Sequence, residues 1–425
     1  MKARILVVAA LATALAVMAS TATGGTRADA GSITVWLQVD ARSGWSDVVA
    51  NATKAFQAQH PGVEVNVEYQ EWTTHLTKLD AAIAGGTAPD VVEMGNTEMT
   101  KYMAAGAFAP LTKSVFPNSS TWLKGLESSA TFKGKLYGVP YYAGSRAVIY
   151  RKDYFKKAGI AKLPATLDEF VAAGQRLKQA YGKTKNFSAF YFAGRDWYSG
   201  LSFVYAYGGQ IAKTKGGQWV GSLDSPAAVR GLSKMKEVVL GLSKASKTTD
   251  EAHPFPTVPF AQGRSASFIG PGWQWGYALD PKAGNPKLAP QMGAFPMPGT
   301  KKGTYLPAFL GGSDLAVPIT SKNRDLAVDW IRAFTATPQM SGIVKAGNIP
   351  NTTSLIGLTK GNAKLAPFAE AARFSWFVPQ SENWVNVESA NVLQNMMTTI
   401  LTNRKSVKDA ATDASKQITD ILNAA

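Results

Sequence analysis

Ile33-Thr34-Val35-Trp36-Leu37, Val63-Glu64-Val65-Asn66-Val67-Glu68 and Asp90-Val91-Val92-Glu93-Met94-Gly95 are the three stretches whose reading decides the fold. The first two alternate apolar and polar side chains with the period of a strand, and the third is a short buried-strand run. Between the first two, Val48, Val49, Ala52, Ala55 and Phe56 recur at helical spacing. Ser46 is placed to cap that helix, and His60-Pro61-Gly62 stops it. Between the second and third, Leu76, Leu79 and Ile83 share one helical face that ends at Gly85-Gly86. Strand–helix–strand–helix–strand predicts an α/β fold with a parallel sheet and right-handed crossovers.

Open sheets of this kind bind ligands beyond the carboxyl ends of their strands. Three loops therefore hold the first candidates: Gln38 and Asp40; Tyr69, Gln70, Glu71 and Trp72; and Asn96, Thr97 and Glu98. Further along, Lys135 to Tyr142 runs into Ala147-Val148-Ile149-Tyr150, an extended stretch that leaves the first sheet. Helical patterns follow over 167–180 and 226–242, with Arg195-Asp196-Trp197-Tyr198 between them. A strand over 266–269 exits through Gly270-Pro271-Gly272-Trp273-Gln274-Trp275. Gly311-Gly312-Ser313 interrupts another extended stretch, 323–334 is an amphipathic helix, and the chain from Val385 is mostly helical. No internal repeat or low-complexity linker separates these parts, so short crossings should join them.

The chain has 425 residues, 45 % hydrophobic and 17 % charged, which suits two lobes with cores of their own and excludes disorder. It has no Cys, hence no disulfide, thiolate metal site, Cys nucleophile or lipidated cysteine. His60, His75 and His253 are dispersed, so neither a metal nor another cofactor is expected. Residues 1–30 have the form of a cleavable signal peptide: Lys2 and Arg4, an apolar run from Ile5 to Ala19, and the cleavage site Ala28-Asp29-Ala30. Export argues against a nucleic-acid partner despite the +16 net charge. The charge is uneven: residues 142–300 carry 21 basic against 9 acidic groups, scattered as on a solvated surface.

The order of Phe56 to Val65, Gly85-Gly86-Thr87-Ala88-Pro89-Asp90-Val91, Leu136-Tyr137-Gly138-Val139-Pro140, Ile149-Tyr150-Arg151-Lys152, Gly263-Arg264-Ser265-Ala266 and Gly311-Gly312-Ser313 resembles the carbohydrate-binding extracellular solute-binding proteins of ABC importers. Gln70-Glu71-Trp72 and Glu93-Met94-Gly95-Asn96-Thr97 look most like the subgroup for chitin-derived disaccharides. The resemblance implies a two-lobed periplasmic-binding-protein-like fold with hinge crossings and an interlobe cleft. Lobe one would comprise 31–141 plus about 307–355, and lobe two 142–306 plus about 356–425. It also implies a monomer that delivers a di- or oligosaccharide to the membrane subunits of a permease. With no Cys to lipidate, the mature chain would be extracytoplasmic and unanchored.

A pyranose offers C–H faces to aromatic rings and hydroxyls to charged or amide groups. The expected sugar site comprises Gln38, Glu71, Trp72, Asn96, Trp197, Trp273, Gly312, Ser313, Arg373 and Trp384, with Trp273 as the main stacking platform. Two rival readings are a secreted glycoside hydrolase, which needs paired carboxylates about 5–10 Å apart, and a binder of an anionic sugar such as a uronide. A uronide would bring Arg146, Arg195 and Arg373 to the centre. A ferric or anion carrier would share the fold but needs clustered ligands that three dispersed His do not supply.

Overall fold

The computed structural model describes residues 31–424; the expected signal peptide lies outside the described residues. The three deciding stretches form strands β1 (Ser32–Gln38), β2 (Glu64–Gln70) and β3 (Val91–Gly95), all parallel, with β1 in the middle. The helix Ser46–Gln59 buries Val48, Val49, Ala52 and Phe56 as its spacing requires. Its cap position falls to Trp45 without a side-chain cap bond, and Ser46 is the first helical residue, which corrects the expected capping. The cause is a preceding short helix, Val39–Gly44, which leaves only Trp45 as a joint. The helix His75–Ala84 ends at Gly85, and Gly86 follows with φ of +68°, a turn that suits a residue without a Cβ.

Strand β4 (Gly138–Gly144) runs on through Ser145 into β5 (Arg146–Arg151). Strands β6 (Ser267–Pro271) and β7 (Met292–Phe295) flank β5 antiparallel, making a second, three-stranded sheet. The chain returns through β8 (Gly311–Ala316) and β9 (Ile349–Pro350), completing a six-stranded first sheet of order β9-β4-β8-β3-β1-β2. Since β8 is antiparallel to both β3 and β4, the strands β1 to β4 all end at one rim, where β8 begins. Gln38, Gln70, Gly95, Gly144 and Gly311 therefore mark a common edge, the carboxyl side that sequence order predicts for a ligand.

Two large apolar clusters lie apart. One joins β1, β4, the helix Ser46–Gln59 and the helix Arg324–Phe334, with Trp330 and Phe334 fully buried. The other is aromatic-rich and gathers Phe190, Trp197, Phe203, Trp376 and Trp384 beneath the helices Leu167–Tyr181, Trp197–Ala206, Pro226–Leu242, Val392–Leu401 and Val407–Leu422. Several of these helices begin at side-chain caps, Thr166, Asp196, Ser225 and Ser406, each accepting a backbone N–H three residues on. No helix among the described residues is long and apolar enough to cross a membrane.

Candidate functional site

The first-lobe rim is organised around two acids. Glu93, wholly buried in β3, accepts the Gln38 backbone N–H at 2.9 Å, while Gln38 Nε2 donates to the Glu93 carbonyl at 3.2 Å. Burial lifts the Glu93 carboxyl to about 7, against the pull of the Gln38 bond. Asp40, two residues on, accepts the indole N–H of Trp72 and, at 3.5 Å, the hydroxyl of Tyr277 from the second lobe. Burial and the nearby Asp40 push the Tyr277 phenol up to about 12, so it remains a donor. Trp72 is 36 % exposed, an aromatic face held out by a hydrogen bond rather than packed away.

Beyond β3, Glu98 accepts from the Gly95 backbone N–H at 2.8 Å and meets His75 Nε2 at 2.9 Å. Burial lowers the His75 pKa, but its bond to Glu98 outweighs that and leaves the ring above its ordinary value. Across the rim, the helix Trp384–Ser389 packs beside the helix Met99–Ala104, which brings Glu388 close to Thr97 and Glu98. Enclosure lifts the Glu388 carboxyl to about 7; the Trp384 indole bond opposes the rise and the charge of Glu98 adds to it. Glu251, also near 7, is raised by burial and by Asp196 behind it. Arg146 opposes both shifts and lies 4.6 Å over the Tyr198 ring.

Of the residues expected from sequence, Gln38, Trp72, Asn96, Gly312 and Ser313 gather on the first-lobe rim, and Trp273 reaches it from the second lobe. Trp273 follows β6 and lies flat on the hinge: a Cβ on Gly144 would come within 2.5 Å of its ring. Asn96 is buried and spends its Nδ2 on the Leu310 carbonyl at 3.0 Å and its N–H on Gly312 at 2.9 Å, so it clamps the returning strand. Gly312 sits where any Cβ would strike the Tyr142 carbonyl at 2.2 Å. Glu71 is exposed beside Trp72, with its backbone carbonyl in the turn that starts the next helix.

Three expectations are corrected in place. Trp197 and Trp384 are 3 % and 1 % exposed and lie 6.1 Å apart in the second-lobe core, where their large apolar area is buried. Arg373 has a 70 % exposed side chain and pairs with Glu370 at 3.0 Å at the end of a surface helix. The neighbours of the two tryptophans take the outer positions: Tyr198 stacks on Trp197 at 4.0 Å, and Glu388 lies one helical turn from Trp384. Sequence reasoning passed over Glu388 and Tyr277. Their spacing of four from Trp384 and Trp273 was the available signal.

The arrangement can grip a flat, hydroxylated ligand from two sides, with aromatic faces at Trp72, Trp273 and Tyr277 and acceptors at Asp40, Glu98, Glu251 and Glu388. Residues 40–341 match the family model described as bacterial extracellular solute-binding protein. The chain is 33 % identical over 393 residues to the diacetylchitobiose binding protein DasA of Streptomyces coelicolor, covering 92 % of this chain and 89 % of that protein. A lactose-binding protein of Rhizobium radiobacter is 25 % identical over 352 residues, covering 77 % of this chain and 75 % of its own length. In structure, the GacH receptor of Streptomyces glaucescens superposes with a TM-score of 0.78 at 22 % identity, covering 92 % of this chain and 98 % of that one. This last likeness shows the two-lobed α/β fold. With the family model spanning most of the chain, the protein belongs to the bacterial extracellular solute-binding protein family.

Proposed function

We propose that this protein captures a di- or oligosaccharide between its lobes and delivers it to the membrane subunits of an ABC importer without chemical change. The observation that carries the reading is the meeting of Trp72, Asp40 and Tyr277. An exposed indole and a phenol from opposite lobes share one carboxylate, as a sugar face and its hydroxyl rim require. Contacts from both lobes give a ligand its differential affinity for the closed form. The names of the relatives, binding proteins for diacetylchitobiose and lactose, support a saccharide. Under this reading Gln38, Trp72, Trp273, Gly312 and Ser313 line the site, Glu71 borders it, and Asn96 holds its floor. The mature chain, freed of residues 1–30, works as an unanchored monomer outside the cytoplasm.

The test is a thermal-shift and calorimetric screen of the mature chain against a disaccharide panel, followed by chromatography of the recovered ligand. One-to-one binding with the sugar returned intact is expected. Cleavage products, or no binding by any saccharide, would overturn the reading.

A further inference from the structure

The cleft carries far more negative than positive charge. Asp40 and Glu98 face it from the first lobe, and Glu251 and Glu388 from the second, with Asp196 buried behind Glu251. Against these stand Arg146, which lies over Tyr198, and His75, which is already bonded to Glu98. Glu98 and Glu388 come from opposite lobes, so closing the cleft drives two carboxylates together.

A second, independent observation concerns hydrogen bonding. Gln38, 1 % exposed at the end of β1, uses its backbone N–H and its Nε2 on Glu93, and its Oε1 has no donor. Glu93 Oε1 likewise has none. Buried acceptors without donors are costly unless a ligand supplies the hydrogens. The aromatic side chains around Asp40 add to this: Trp72 and Tyr277 both bond to it, and Phe255 lies 5.6 Å from the Tyr277 ring. Aromatic faces beside a carboxylate suit a C–H surface that bears a positive charge.

We propose that the ligand is an amino-sugar disaccharide with at least one free, protonated amine, seated with its ammonium between Glu98 of the first lobe and Glu251 and Glu388 of the second. This rests on the sugar-capture reading and narrows it. Hydroxyls of a neutral sugar satisfy carboxylates one bond at a time but leave the net charge in place. An ammonium supplies three donors and removes the repulsion that closure creates. A uronide would add to that repulsion.

The test compares three β-1,4-linked disaccharides of nearly the same shape by calorimetry at pH 7 and low salt: the glucosamine dimer, its di-N-acetyl form, and cellobiose. The free-amine dimer should bind at least about tenfold more tightly than either other sugar, the scale of one charge-assisted contact. The margin should shrink in alkaline buffer as the amine loses its proton. Glu388→Gln keeps an acceptor for the Trp384 indole and should cut the margin below about threefold, as one partner of the ammonium is lost. Glu251→Gln, checked for folding by circular dichroism, serves the same end if Glu388→Gln misfolds. Equal or tighter binding of the N-acetylated or hydroxyl form overturns the proposal, as does a margin that survives in both variants. If maltose or another neutral sugar binds and the amine does not, the amine assignment fails while sugar capture stands. If no saccharide binds, sugar capture fails and this inference with it.

Discussion

Replacing Gly144 by alanine probes the joint between hinge and platform. Gly144 is not among the glycines with positive φ, so alanine enters without backbone strain. Its Cβ would lie 2.5 and 2.9 Å from Cζ3 and Cη2 of Trp273. Ordinary carbon contacts lie near 3.5–4 Å, so the indole must withdraw by roughly 1 Å. Overpacking of this size costs about 1–3 kcal/mol where the neighbour cannot yield. Trp273 is only partly buried, so it yields by tilting away from the cleft, and the loss falls on the ligand. We expect Gly144→Ala to weaken sugar binding by about tenfold, or about 1.4 kcal/mol, with a small change in melting temperature. Trp273→Ala should itself cost about 1.5–3 kcal/mol of binding, as for a central aromatic anchor. In that background Gly144→Ala should add less than about 0.5 kcal/mol, because the clash it acts through is gone. Calorimetry on the four proteins of this double-mutant cycle reads the coupling directly. If alanine at 144 weakens binding equally with and without the indole, Trp273 is not the route and the reasoning is refuted.

Asp314 is fully buried, accepts from Ser129 at 2.9 Å, and its carboxyl is raised by burial to about 7. The folded state thus holds a proton that the unfolded chain releases near pH 4, so stability falls as pH rises from about 4 to 7. Asp314→Asn should flatten that part of the melting-temperature profile and stabilise more at pH 8 than at pH 4; a parallel offset at all pH values contradicts this. Trp384→Ala should destabilise the fold by about 3–5 kcal/mol in urea titration, the range for removing a buried aromatic side chain; a loss below about 1 kcal/mol would show a tolerant site. Arg373→Ala removes an exposed ion pair and should change stability and sugar affinity by less than about 0.5 kcal/mol, so a large loss of affinity would restore it to the site.

Much of the fold was legible because the first hundred mature residues write their pattern locally. The alternation in β1 and β2 and the helical spacing between them depend on near neighbours alone, as does the short apolar run of β3. The rim followed from the same pattern, since strand direction decides where Gln38, Trp72 and Asn96 lie. What was not legible depends on burial. Trp197 and Trp384 have the composition of stacking residues, yet a core rich in Phe and Trp absorbs them, and only the packed structure shows which ring faces out. Asn96 was found by position, but its bond to Leu310 depends on a strand more than two hundred residues away. Arg373 was chosen for its chemistry, and a partner three residues earlier, Glu370, holds it.

Strand β8 lies between β3 and β4 near the middle of the first sheet, yet it comes from residues 311–316. Until that segment arrives, the inner edges of β3 and β4 have unpaired backbone groups, and the first lobe is an open template for stray strands. Its closing contacts span some of the longest sequence separations in the molecule, which slows folding, since loop entropy must be spent before the pairing is gained. A chain stopped before residue 311 would therefore lack not a lobe but the middle of one. A C-terminal truncation should accordingly yield aggregates rather than a smaller folded unit.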